Sequence, residues 1–394
     1  MVLTAMLCGV ALGGDLTGRP IFGTLQSEPA HAAADVHAGV RLATVGLVWS
    51  AFEPRQGVVD PAYVAGLRKQ IAAFRAAGMG VVLDVGLQYP PGWIYAIPNS
   101  RFVDQYGDPF NEDEQPGYGG MNAVFNQRVR DQAAQYLRSA FKNLGTDFFA
   151  VRLGGGYFGE LHYPNPVYRG HRDCYWGFDA IAQGRAPGIP PTIGPCPVPG
   201  WIPGTPAADL TTARRFADWY LNAITDYQNW QIATVRRDYA GTIFMLYPSW
   251  GLRPGDLDHQ VAAGLKFSGN TELMRGNDFA RQIKAITDPK VAVYCTWSDA
   301  DFPSTDDRSR DPSRWCPLHY LAYLAQSHKP PLAVWAENTG RPNSAKQMQL
   351  SFQRLRDYSL GGLFWAFEPD LYGGKPQCAN IDDFARNIAA VTTP

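Results

Sequence analysis

None of the six cysteines stands in a CxxC pair or at zinc-finger spacing, which argues against a metal site. Nor does charge of one sign dominate. Lysine plus arginine number 35 against 36 aspartates and glutamates, so the basic excess that favours nucleic acid or an anionic membrane is missing. No apolar run is long enough to cross a bilayer. The longest, Val2 to Gly14, has thirteen residues, the length of a signal-peptide apolar region, although no basic segment precedes it. His31-Ala32-Ala33-Ala34 has the small residues of a cleavage site, but it lies further on, inside an expected first helix. Residues 1–19 are read as a signal remnant or N-terminal extension, and 20–394 as one domain. The strand–GxGxxG–helix signature of dinucleotide binding is also lacking, and Gly154-Gly155-Gly156 is a lone glycine run.

Aromatics are what the chain has in quantity: 11 Trp, 19 Tyr and 20 Phe, many of them just after strand-like runs. There, flat rings can serve as platforms for a ligand or can simply fill the core. Proline is concentrated too, with eight between Pro187 and Pro206, so residues 166–210 read as an irregular insertion. Cys174 and Cys196 bracket that insertion, where a disulfide would constrain it. Cys295 and Cys316 form a second expected pair, leaving Cys378 free and Cys8 in the N-terminal segment. These pairs fit a secreted or cell-envelope protein. The alternative is a cytoplasmic protein with reduced, buried thiols.

Strand-like and helix-like segments alternate throughout. Strands are expected at Ile21–Leu25, Val40–Trp49, Gly80–Val85, Phe148–Leu153, Thr242–Tyr247, Val291–Trp297, Leu332–Glu337 and Gly362–Phe367. Between them lie helical patterns such as Val64, Leu67, Ile71 and Phe74 at the 3.6-residue period. Gly80 to Val85 is almost continuously apolar, as a strand covered on both faces should be. Eight such units with no boundary at mid-chain specify an α/β fold, a (β/α)8 TIM barrel with long βα loops.

Such barrels carry their sites at the carboxyl ends of the strands. Those ends offer Trp49 with Glu53, Asp84 with Tyr89 and Trp93, and Glu160 with Tyr157 and His162. They continue with Tyr247 and Trp250, Tyr294 and Trp297, Glu337 with Asn338, and Trp365 with Glu368. Glu160 follows strand four and Glu337 ends strand seven. Paired carboxylates among aromatic platforms suit cleavage of a glycosidic bond. One protonates the leaving oxygen, while the other attacks the anomeric carbon or activates a water. No organic cofactor or metal is needed for this, and the expected partner is a carbohydrate substrate. Tyr157 and Phe158 are expected to bury Glu160, and Glu53 to bond loop backbone.

Trp49-Ser50-Ala51-Phe52-Glu53-Pro54-Arg55-Gln56-Gly57 resembles the W-x-x-x-E-P-x-x-G segment of the family 42 and family 35 β-galactosidases, and Pro91-Gly92-Trp93 their P-x-W loop. The architecture is similar to clan A of the glycoside hydrolases. That resemblance implies Glu160 as acid/base and Glu337 as nucleophile of a retaining reaction, with the other strand-end residues named above holding sugar and Trp365 as the tryptophan at the end of strand eight. Clan A usually has Asn before the acid/base glutamate, where this chain has Gly159. Gly159-Glu160-Leu161-His162-Tyr163-Pro164 resembles the G-E-L-x-Y-P of the inverting β-amylases instead. Retention, inversion with the same two glutamates, and a non-catalytic carbohydrate-binding barrel all remain open from these residues.

Overall fold

The computed structural model describes residues 18–111, 120–205 and 210–392; the apolar segment from Val2, with Cys8, lies outside them. Eight parallel strands close into a barrel in sequence order. They are β1 (Ile21–Thr24), β2 (Leu42–Gly46), β3 (Gly80–Asp84), β4 (Ala150–Leu153), β5 (Thr242–Tyr247), β6 (Val291–Cys295), β7 (Val334–Glu337) and β8 (Gly362–Trp365). The seam is closed by β1 on β8, with Ile21 opposite Gly362 and Thr24 opposite Trp365. Around it run α1 (Ala32–His37), α2 (Pro61–Ala76), α3 (Gln127–Leu144), α4 (Leu210–Arg236), α5 (Phe279–Lys284), α6 (Pro317–Ser327), α7 (Ala345–Asp357) and α8 (Ile381–Thr392).

Alternation along each strand separates two cores. Leu42, Val82, Ala150, Phe244, Tyr294, Trp335 and Phe364 form one buried cluster, the filling of the barrel. Val45, Leu83, Val151, Met245, Val293, Ala336 and Leu363 belong to a second, between strands and helices. The interior is crowded with rings, and glycine makes room for them. A Cβ on Gly23 would lie 2.3 Å from the Phe364 ring, and one on Gly362 would lie 2.2 Å from Trp335. Outside, α2 starts where Asp60 accepts hydrogen bonds from the amides of Ala62 and Tyr63 with Pro61 at its first position. It buries Val64, Leu67, Ile71 and Phe74, the face its period indicated.

Two expectations need correction. β2 ends at Gly46, and Trp49–Phe52 forms a short helical turn instead of continuing the strand. The described cysteines, Cys174, Cys196, Cys295, Cys316 and Cys378, are all free thiols. Each paired candidate has other company: Cys174 lies beside Asp104, and the Cys196 amide donates to Ala182 O at 2.7 Å. Cys295 Sγ accepts from the Trp297 amide, and Cys316 Sγ caps α6 through the His319 amide. The insertion has neither helix nor strand within 166–205, and packing with polar caps holds it together. Tyr168, Tyr175 and Trp176 are buried, while Asp179 accepts from the amides of Ile181 and Ala182.

Candidate active site

Asp84, Arg152, Tyr294 and Glu337 occupy inward positions near the carboxyl ends of β3, β4, β6 and β7 and meet inside the barrel mouth. Arg152 donates to Glu337 Oε2 at 2.7 Å and to the Tyr294 hydroxyl at 2.9 Å. That hydroxyl in turn donates to the same Glu337 oxygen at 2.7 Å. The guanidinium also lies 4.7 Å from the centre of the Tyr294 ring, and its Nε is 3.5 Å from Asp84 Oδ2. Arg152 is only 4% exposed, so its charge is tolerable because carboxylates flank it. Burial alone would depress the guanidinium, but Glu337, Tyr294 and Asp84 together hold it above its ordinary value. Burial pushes Glu337 up, and Glu160 adds to the rise, against the downward pull of Arg152 and the Tyr294 hydroxyl. Among the described residues nothing hydrogen-bonds Glu337 Oε1. The side chain keeps a tenth of its surface open, so one oxygen is clamped and the other is not.

Glu160 is reached through a folded-back loop. The Gly155 amide donates to Gly159 O at 3.1 Å and the Gly156 amide to Glu160 O at 2.7 Å. A Cβ on Gly154 would sit 2.1 Å from Gly159 O, and one on Gly156 would sit 2.4 Å from Glu160 O. The triple glycine therefore lets two stretches of backbone touch. Gly159, at φ +84°, completes the turn, and the Gln88 amide lies 3.0 Å from where its Cβ would be. Gln88, buried after β3, thus fills the space beside Gly159.

Glu160 Oε2 lies 3.5 Å from His162 Nε2, and His162 Nδ1 lies 2.5 Å from Tyr163 O. A carbonyl can only accept, so Nδ1 carries a proton toward Tyr163 O and Nε2 is the ring nitrogen that faces Glu160. Tyr157 meets His162 edge-on at 6.4 Å. The expected cover from Phe158 is not found: its ring is 62% exposed, because a left-handed backbone at φ 56° turns it outward.

The other expected residues divide. Tyr89 lies near enough for the Asp84 charge to reinforce the upward push that burial gives its hydroxyl. Trp250 packs on Phe302 at 5.3 Å. Trp297 lines a groove of about 520 Å³ with Phe302, Thr339 and Arg341. Asn338 ties β7 to β8, donating to Ala366 O and accepting from its amide, and so acts on the frame of the mouth.

Trp49, Tyr247 and Trp365 point away from the barrel interior and are fully buried. Trp49 stacks on Tyr136 and donates to Glu53, which also accepts from the Gly57 amide. Trp93 packs against Trp49 and donates to Glu53 O. Tyr247 bonds Gln228 on α4, and Trp365 packs toward Phe384 on α8. Glu368 is also fully buried, held by the Glu28 amide and His31 rather than by the Arg152 cluster. Arg152 and Gln88 were not anticipated; a lone arginine inside the apolar run of β4 was the available signal for the first.

No protein-family profile and no curated protein matches the chain. Solved structures do. The catalytic domain of β-amylase from Paenibacillus polymyxa superposes with a TM-score of 0.68 at 13% identity, over 96% of this chain and 99% of that one. A β-galactosidase from the Antarctic haloarchaeon Halorubrum lacusprofundi gives 0.54 at 14% identity, over 95% and 58%. One from Marinomonas ef1 gives 0.56 at 11%, over 94% and 58%. This chain thus spans little more than half the length of either galactosidase. Identities this low establish the shared barrel.

Proposed function

We propose that the protein is a glycoside hydrolase acting on an oligo- or polysaccharide, with Glu160 as general acid/base and Glu337 as nucleophile of a retaining reaction. The observation that carries this reading is the asymmetric grip on Glu337. Arg152 and Tyr294 both bond Oε2, favouring the ionised form against burial and orienting the carboxylate, while Oε1 is left to attack. Glu160 is close enough for its charge to act on Glu337, as two carboxyls flanking one bond should be. His162 Nε2, 3.5 Å from Glu160 Oε2, borders the carboxyl assigned as acid/base. Asp84 and Tyr89 border this pair and are assigned to sugar hydroxyls, with Tyr157, Trp250 and Trp297 as ring platforms.

A second reading has its own support. The β-amylase likeness covers nearly both whole chains, and the segment Gly159 to Pro164 resembles that family, whose reaction inverts. In that case Glu337 would activate a water. A panel of glycans, with NMR of the first-formed anomer, decides between the two; a β-configured product from a β-linked substrate supports retention. The panel should also be run on Glu160→Ala and Glu337→Ala. If either variant hydrolyses its glycan at the wild-type rate, the assignment of that residue is wrong. Glycan binding that no variant at these positions alters, without hydrolysis, would point to a binding barrel.

A further inference from the structure

We infer that Glu28, His31 and Glu368, with the buried Asp35 next to Glu368, form a binding site for a divalent cation of the zinc type, independent of the proposed catalytic pair. The residues come from two ends of the chain, brought together because β1 pairs with β8. Glu28 and His31 lie in the segment after β1, Asp35 in α1, and Glu368 opens the short helix Glu368–Tyr372 after β8.

One ligand atom from each of Glu28, His31 and Glu368 falls within 4.8 Å of the other two. His31 Nδ1 is 3.2 Å from Glu368 Oε2. The Glu28 amide donates to both Glu368 oxygens at 3.2 Å, which holds that carboxylate in place. The His31 ring is held by stacking on Tyr372, with centroids 3.8 Å apart. The Tyr372 hydroxyl donates to Asp35 Oδ1 at 2.7 Å. Metal-binding imidazoles and carboxylates are usually oriented by outer contacts of this kind.

Asp35 supplies the independent observation. It has no exposed surface, and its Oδ2 is buried without any hydrogen-bond partner. Its carboxyl also sits beside that of Glu368, which is equally inaccessible. Two buried carboxylates repel each other and are poorly solvated, and among the described residues no lysine or arginine forms an ion pair with either. A cation held by Glu28, His31 and Glu368 supplies the missing positive charge beside the buried Asp35 carboxyl. One imidazole with carboxylate oxygens suits zinc, in a four-coordinate arrangement. Glu28 is exposed and His31 partly so, which gives an ion a path from solvent.

The test uses the full chain stripped with a chelator, then titrated with Zn²⁺ by calorimetry and with Co²⁺ by visible absorption. One equivalent should bind, Co²⁺ should show the intense bands of a four-coordinate site, and Zn²⁺ should raise the melting temperature. His31→Ala and Glu368→Gln should each weaken binding at least about tenfold and abolish the thermal shift. Glu28→Gln alters an exposed side chain, so the fold survives, and affinity should still fall. The inference fails if wild type binds no more tightly than His31→Ala. It fails equally if Zn²⁺ leaves wild type unmoved while Asp35→Asn raises its melting temperature at neutral pH, because the two carboxyls then share a proton instead.

Discussion

Glu337 ends a regular strand, whereas Glu160 rides on a loop of glycines seven residues beyond its own strand. The first is immobilised by charge, through Tyr294 on the adjacent β6 and Arg152 reaching across the barrel from β4. The second is set by backbone contacts between Gly154, Gly156, Gly159 and Glu160, with a single 3.5 Å side-chain approach from His162. In the proposed reaction the nucleophile must be held fixed and favoured as the anion, and strand-mounted partners serve both ends. An acid/base exchanges a proton with substrate and solvent, and a loop position leaves room for that.

Predictions follow from breaking each kind of support in turn, on the substrate that the glycan panel identifies. Glu337→Gln keeps the shape but removes the charge; turnover should fall by roughly 10³-fold or more, measured in single-turnover assays. Arg152→Met leaves Glu337 and Asp84 without their cation inside the mouth. A loss of about 3–5 kcal/mol in urea unfolding is expected, and an unchanged midpoint would show that the ion pair contributes nothing net.

On the loop side, Gly156→Ala places a methyl against two carbonyl oxygens although its backbone φ is an ordinary −93°. Displacement of Glu160 by about an ångström should cost about 10²-fold in kcat with little change at the Arg152 cluster. Wild-type kcat in this variant would mean that the loop is not what positions Glu160.

The smallest effect concerns pH. Tyr294 lowers the Glu337 pKa while burial raises it, so Tyr294→Phe should raise it further. Glu337 must be ionised to act, and the acid limb of the pH–rate profile should therefore move to higher pH, with about a tenfold loss on its steep part. The sign for stability is separate. A carboxyl raised in the folded state favours folding when protonated, so its contribution declines as pH rises through that raised value. A shift of the acid limb to lower pH would contradict the assigned bond.

Much of this arrangement was legible beforehand. Apolar runs closed by Glu337 and preceding Glu160, alternating with 3.6-period helices, led to the eight-stranded barrel that the structure has. What could not be read was direction. Strands covered on both sides carry little alternation, so their pattern hides which residue at a strand end looks inward. Trp49, Tyr247 and Trp365 read from the sequence as sugar-holding residues, yet all three face outward into the helix layer. Arg152 was passed over inside an apolar run, yet the parity it shares with Ala150 sends it into the mouth.

The cysteines and Glu368 show the same limit at longer range. Proximity along the chain pointed to thiol pairs, but the described cysteines are free: Cys174 sits by Asp104, and Cys295 and Cys316 lie near each other without a bond. No spacing motif links Glu28, His31 and Asp35 with Glu368 more than 330 positions away, and closure of β1 on β8 alone makes them neighbours.

The amino-acid order by itself determined the periodicities, and with them the barrel and the strand ends at which chemistry is found. Which side chains meet there was decided by tertiary structure, because register and inward parity become defined only when the last strand pairs with the first.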